Sequence, residues 1–164
     1  MKVEAVSSGD NIYTALQQHE QNVYLLLDGA RFDDIFAFIY KIDSHHEYVP
    51  LYRGTYYESV MEGGPFLVKT HVHGSLLSWY IEEGAKEMKG LLMSSELPLQ
   101  ELAKHFQQFL EVRTPNQEVM PVRIYDPCFF HALTPFYNKQ PLVQLLKPLQ
   151  QVFWAKDETI YQLS

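Results

Sequence analysis

The hydrophobic positions of the chain form short continuous runs that alternate with stripes spaced as in a helix. Residues 23–27 are apolar throughout and end at Asp28 and Gly29, a pattern typical of a strand buried on both faces. After Asp33, which is a plausible helix N-cap, apolar residues recur at helical spacing. The first part of the chain therefore predicts a strand followed by a helix.

The same alternation continues towards the C-terminus. Short strands are predicted at 66–69 and 89–94, and each is followed by a predicted helix. The clearest stripe, from Leu99 to Leu110, predicts a helix packed against a sheet, with Ser95 or a neighbour as its cap. The remaining predicted elements are a helix after Asp10, a hairpin over 112–125, a short helix after Asn138, and weak strands at 152–155 and 160–163.

The end of the predicted hairpin turns directly into a helix at Asp126 and Pro127. Asp is a favoured N-cap, and Pro at the first helical position lacks only an N–H group that has no partner within the helix. We therefore assign Tyr125, Asp126 and Pro127 to a structural junction. Arg123 either pairs with an acidic neighbour or faces a partner, and its place in a strand beside a cap favours pairing.

Strands that alternate with helices, together with one hairpin, predict an α/β protein with a mixed β-sheet flanked by helices. The length of 164 residues and the hydrophobic content of 46% predict one domain over residues 1–164 with a substantial core. No internal repeat or linker divides the chain.

The charge balance and the cysteine content restrict the classes of partner and the cellular compartments that the sequence allows. With 13 Lys and Arg against 20 Asp and Glu, the net charge of −7 disfavours both nucleic acid and anionic membrane surfaces. The longest apolar run is too short to span a bilayer. A lone cysteine cannot form an internal disulfide, and the N-terminus lacks the pattern of a signal peptide. We therefore expect a cytoplasmic protein.

The histidines and Cys128 are the candidates for chemistry. His71 and His73 fall on one face of a predicted strand, and two more histidines stand at 45 and 46, but no carboxylate completes a metal motif. Surface histidines are therefore favoured over a metal site. Cys128 lies at a predicted helix N-terminus, where a thiol pKa is lowered, yet two adjacent phenylalanines favour a small core residue. We expect no cofactor and no enzymatic activity, with a small Cys/His enzyme as the alternative.

The segment from Tyr48 to Tyr57, which contains four tyrosines and Arg53 and is called the aromatic segment below, is a candidate for binding a partner protein. Tyr, Trp and Arg are the residue types enriched where interfaces bind most strongly. Packing of the tyrosines within strands and core is the equally weighted alternative. The partner-binding candidates are Tyr48, Tyr52, Arg53, Tyr56, Tyr57 and Arg123.

Several stretches in order carry a resemblance to a known family. The most specific is the segment Val-Arg-Ile-Tyr-Asp-Pro at 122–127, and others lie at 25–30, 50–54, 63–68 and 90–95. In this order and spacing, the chain resembles the effector adaptor and chaperone family of bacterial type VI secretion systems over about residues 23–154. The sequence departs from the family pattern at Cys128, where the family commonly has Arg.

The resemblance implies a role rather than a reaction. Members of that family are cytoplasmic adaptors that bind a toxic effector and load it onto the VgrG-type spike protein at the tip of the secretion needle. The expected partners are therefore a secreted effector and the spike protein, with no nucleic acid and no membrane. An immunity protein that blocks a toxin is a further alternative.

Overall fold

The computed structural model describes residues 1–18, 21–42 and 47–164. The paired histidines at 45 and 46 lie outside the described residues. The strands are β1 Val3–Val6, β2 Asn22–Asp28, β3 Glu47–Pro50, β4 Pro65–Thr70, β5 Gly90–Ser95, β6 Glu111–Arg113, β7 Val119–Pro121, β8 Leu149–Lys156 and β9 Thr159–Leu163.

Seven of these strands form one sheet in the order β1-β9-β8-β5-β2-β4-β3, and neighbouring strands run antiparallel. The strands β6 and β7 form a separate two-stranded ribbon. The structure confirms an α/β protein with one large sheet and helices packed against it, and every described strand pair of that sheet is antiparallel where a mixed sheet was expected.

The helices lie on the two faces of the sheet. They are α1 Gly9–Gln17, α2 Ile35–Ile42, α3 Ser75–Trp79, α4 Leu99–Gln107, α5 Pro127–Leu133 and α6 Leu142–Leu146. One core packs α1, α2 and α3 on one face, and a second core packs α4, α5 and α6 on the other. Among the residues described, no helix has the length and apolar character that crossing a lipid bilayer requires.

The central strand β2 explains why its sequence is apolar without alternation. Tyr24 and Leu26 belong to the core under α4, α5 and α6, whereas Leu25 and Leu27 belong to the opposite core. All four side chains are almost completely buried. The predicted strand buried on both faces is therefore confirmed, because successive side chains in a strand point to opposite faces.

Helix α4 follows the predicted stripe, but it begins differently. Leu102, Ala103 and Phe106 are buried against the sheet. The predicted cap at Ser95 is wrong, because Ser95 stays in β5 and its Oγ accepts from the Leu97 N–H at 3.1 Å. Pro98 is the N-cap residue, and no side chain caps the helix.

Other helix ends also differ from the prediction by a few residues. The side chain of Asp34, not Asp33, accepts a hydrogen bond at the start of α2, from the Ala37 N–H at 3.0 Å. Ser8 precedes α1 in place of Asp10, and Pro141 precedes α6 in place of Asn138. Caps depend on the local backbone path, which the hydrophobic pattern alone does not determine.

Candidate functional site

The C-terminal end of β2 places a carboxylate in the protein interior. Asp28 is fully buried, and its side chain accepts a hydrogen bond from the Ala30 N–H at 3.1 Å. The Arg123 guanidinium donates a hydrogen bond to Asp28 Oδ2. Arg31 Nε lies 3.4 Å from the same oxygen. Two arginines therefore surround one buried acid.

A second carboxylate extends this arrangement to α5. Asp126 is the N-cap residue of α5, and its Oδ1 accepts from the Cys128 N–H at 2.9 Å. Its Oδ2 lies 3.7 Å from Arg31 Nη2 and 3.8 Å from Arg123 Nε. We refer to Asp28, Arg31, Arg123 and Asp126 as the Asp28 ion cluster. It connects the end of β2 with the start of α5.

The electrostatics of the Asp28 ion cluster are dominated by burial. Loss of solvent raises the pKa of Asp28 above its usual value, although Arg123 and Arg31 act in the opposite direction. The guanidinium of Arg123 also lies 5.4 Å from the ring centre of Tyr125. Such a carboxylate, enclosed by arginines and a backbone N–H, serves to join two elements of the fold.

The junction residues continue into the core beside this cluster. Tyr125 is buried, and its hydroxyl lies 3.4 Å from the hydroxyl of Tyr52. Burial raises the pKa of Tyr125 above its usual value. Pro127 occupies the first position of α5 and is buried as well.

The aromatic segment is divided between core and surface. Tyr52 is buried, Tyr48 and Tyr57 are half-buried, and only Arg53 and Tyr56 among the five are exposed, with Tyr56 at 92%. The Tyr57 hydroxyl donates to Glu111 Oε2 at 3.0 Å, which brings this segment against β6. A role in partner binding stays a prediction for these residues and for Arg123.

The candidates for chemistry are dispersed. His71 and His73 are exposed in the turn after β4, because that strand ends at Thr70, and so their predicted position within a strand is wrong. Within residues 1–18, 21–42 and 47–164, no group of three or more His, Cys, Asp or Glu side chains could hold a metal ion.

Cys128 is exposed, so the prediction of a small core residue is wrong. Helix α5 directs Phe130 into the core, where it is 3% exposed. A residue two positions away in an α-helix points about 200° around the axis from that direction. Cys128 therefore faces outward at the start of α5.

His131 on α5 makes the most specific polar contact of that helix with the sheet. The indole Nε1–H of Trp154 donates to His131 Nδ1 at 3.0 Å, which requires that nitrogen to be unprotonated. Burial, and next the charge of Lys156, lower the pKa of His131 from its ordinary value of 6.5.

This contact predicts a dependence of stability on pH. Because the unfolded chain takes up the proton at a higher pH than the folded chain, the contribution of His131 is complete above about pH 6.5 and is lost as the pH falls. We expect the free energy of unfolding, from urea titrations between pH 7.5 and 5.5, to fall less in His131→Gln than in wild type. The variant His73→Gln, at an exposed position, serves as control. Equal slopes for wild type and His131→Gln would contradict this role.

An apolar groove lies on the α4, α5 and α6 side of the molecule. Its volume is about 710 Å³, and it runs between α5, α6, the end of α4 and the β6–β7 ribbon. Large apolar side chains remain exposed along it, with Phe136 at 56%, Val112 at 47% and Phe129 at 39%. A second hollow of about 640 Å³ shares Phe109 and Pro141 with it. We refer to the two together as the α5–α6 groove.

The α5–α6 groove was not predicted from the sequence. One signal was present, because the segment of α5 and its extension carries Phe129, Phe130, Phe136 and Tyr137, more aromatic residues than one buried face requires. Which of them face outward depends on how α5 is placed by the Asp28 ion cluster and by Trp154.

The fold and these sites define a class of protein, an α/β protein with a structural ion cluster and an open apolar groove. The family model described as "Domain of unknown function (DUF4123)" matches residues 23–144. The chain therefore belongs to this family, which is that of the type VI secretion effector adaptors, and the resemblance based on ordered motifs is confirmed.

The chain is also similar to a curated protein of the bacterium Vibrio cholerae serotype O1, "Accessory protein VasW". The two are 24% identical over 96 residues, which cover 58% of this chain and 32% of VasW. The chain thus spans about a third of the length of this curated relative. No solved structure matches the chain.

Proposed function

We propose that this protein is a cytoplasmic adaptor that binds a type VI secretion effector and delivers it to the spike protein. The observation that carries the proposal is the family match over residues 23–144. The description of VasW as an accessory protein supports the same kind of role. On this proposal the chain works as one unit with two protein partners and performs no catalysis.

The surface of the protein supports a binding role. Exposed large apolar side chains that line one groove are typical of sites where a partner docks. The described His, Cys, Asp and Glu residues form no metal cluster, and the two buried tyrosines and the Asp28 ion cluster serve the fold. An adaptor needs a surface that holds another chain, and the α5–α6 groove offers one.

Co-expression with an effector toxin of the type VI secretion system of the same organism tests the proposed function. We expect the two proteins to co-purify as a stable complex, and the toxin alone to accumulate poorly in soluble form. In a deletion strain, secretion of that toxin should be lost while another cargo of the same secretion system is still exported, as read by immunoblot of the culture supernatant.

The same experiment can reject the proposal. Failure to co-purify, together with normal toxin secretion in the deletion strain, would show that the protein is not its adaptor. Binding to the catalytic region of the toxin, with protection of the cell from it, would instead identify an immunity protein.

A further inference from the structure

We propose that the α5–α6 groove binds an amphipathic helix of the effector, with the apolar face of that helix inward and its carboxylates towards Lys139 and Lys147. This inference rests on the proposed function and adds the surface and the chemistry of the bound segment. Three observations carry it: the exposed apolar walls, the shape of the groove and the distribution of charge.

The walls of the groove are apolar on both sides. Phe129 and Phe136 contribute from α5 and the turn after it, and Val112 contributes from β6. All three are exposed although they are large and apolar. Water contact with these side chains is unfavourable, so a partner that covers them gains binding energy from their burial.

The shape of the groove suits a helix. Helices α5 and α6 flank it, with Leu133 of α5 and Leu142 and Leu145 of α6 among the lining residues. The free edges of the large sheet, at β1 and β3, belong to other elements and do not line it. An amphipathic helix fills such a groove with anchors at i, i+3, i+4 and i+7.

The charges beside the groove favour an acidic segment. Residues 127–156 contain no Asp or Glu although the whole chain has a net charge of −7. Lys139 and Lys147 line the groove, and neither forms an ion pair with a described residue. The acids that also line it are Glu111, whose carboxylate accepts from Tyr57, and Glu96 at the far end. Carboxylates of the partner therefore find unpaired cations on the α6 side.

Point variants of the full chain test the groove in complex with the co-expressed effector. In Phe136→Glu, a carboxylate stands at an exposed apolar wall, and we expect the Kd of the purified complex to rise at least tenfold. The matched control is Tyr40→Glu, which changes a 75% exposed aromatic residue on α2, on the opposite face of the sheet. Its Kd should change less than twofold. Thermal melting of each variant checks that the fold is retained.

Charge reversal tests whether the bound helix presents carboxylates to Lys139 and Lys147. The double variant Lys139→Glu/Lys147→Glu should weaken binding at least tenfold, and Lys86→Glu, at an exposed site away from the groove, should not. Fragments of the effector then locate the binding segment. Replacing its carboxylates by Lys should restore binding to the double variant and weaken binding to wild type.

The outcomes of these binding experiments test the groove proposal and the adaptor function separately. If wild type binds the effector and Phe136→Glu binds equally well, the groove proposal is wrong and the adaptor function stands. If wild type does not bind the effector at all, the proposed function fails and this inference fails with it. A wild-type dimer that Phe136→Glu converts to a monomer, with effector binding unchanged, would assign the groove to a second copy of the chain. Flotation of wild type with anionic vesicles, lost in Phe136→Glu without loss of effector binding, would assign it to a lipid surface.

Discussion

Replacement of Arg123 by Gln is expected to lower the free energy of unfolding by about 2 kcal/mol, because it removes a charged hydrogen-bond donor from a buried carboxylate. Asp28 itself is fully buried, whereas the Arg123 side chain is 44% exposed, so water that enters in place of the guanidinium recovers part of the loss. Arg31 remains, but its Nε lies 3.4 Å from the carboxylate oxygen and compensates only in part. The loss is measured by urea unfolding at pH 7, with Arg53→Gln, an exposed arginine, as the matched control.

A double-mutant cycle identifies the cause of that loss. The variant Asp28→Asn/Arg123→Gln should be more stable than Arg123→Gln alone, because the amide carries no charge to leave unpaired. The pH gives a second check. Since the pKa of Asp28 is raised above the ordinary 3.8, its ionisation costs the folded state free energy, and protonation at low pH removes that cost. The deficit of Arg123→Gln should therefore be smaller near pH 4.5 than at pH 7. An equal deficit at both values, with no gain in the double variant, would contradict the role of the pair.

Replacement of Trp154 by Ala is expected to lower the free energy of unfolding by about 4 kcal/mol, which lies within the usual range for removing a large aromatic side chain from a core. Trp154 is fully buried in β8, with ring centres 5.0 Å from Phe130 and 5.8 Å from Tyr161. The indole thus attaches α5 to the sheet both by packing and by its hydrogen bond to His131.

The variant Trp154→Phe separates these two contributions. It retains an aromatic ring and loses the N–H donor, so we expect a cost of about 1 kcal/mol for the hydrogen bond together with a smaller packing loss. Urea unfolding of both variants measures the difference. If Trp154→Phe were as unstable as Trp154→Ala, the hydrogen bond rather than the packing would dominate.

The two structural contacts of α5 bear on binding. The Asp28 ion cluster holds its N-terminus, and Trp154 holds its middle. Phe129 lies between them on the outer side and lines the α5–α6 groove. An ion cluster around a buried carboxylate gives little net stability compared with apolar packing, but it requires one placement of its members. We therefore expect the cluster to position the groove wall as well as to stabilise the junction.

Much of the local structure could be predicted from the sequence. The apolar run 23–27 and the stripe of α4 record directly how many faces of an element are buried. The Asp126–Pro127 pair marks a helix start, because the cap and the missing N–H act within a few residues. The order of such short-range signals also indicated the family.

The sites themselves depended on contacts between distant parts of the chain. Asp28 and Arg123 are 95 residues apart in sequence. They meet only because the fold places the C-terminal end of β2 next to the segment that leads into α5. Whether Cys128 is buried or Phe129 exposed depends on the rotation of α5 about its axis, which Trp154 and the Asp28 ion cluster determine.

The segment 122–127 shows which features the sequence determines and which features only the tertiary structure decides. Its sequence by itself determined a capped junction and the family, because capping and turn chemistry are local properties of the backbone. Only the tertiary structure decided that Arg123 faces a buried carboxylate and that an apolar groove opens beside α5. Burial and charge pairing are properties of the surroundings of a residue, and those surroundings come from strands and helices far away in the chain.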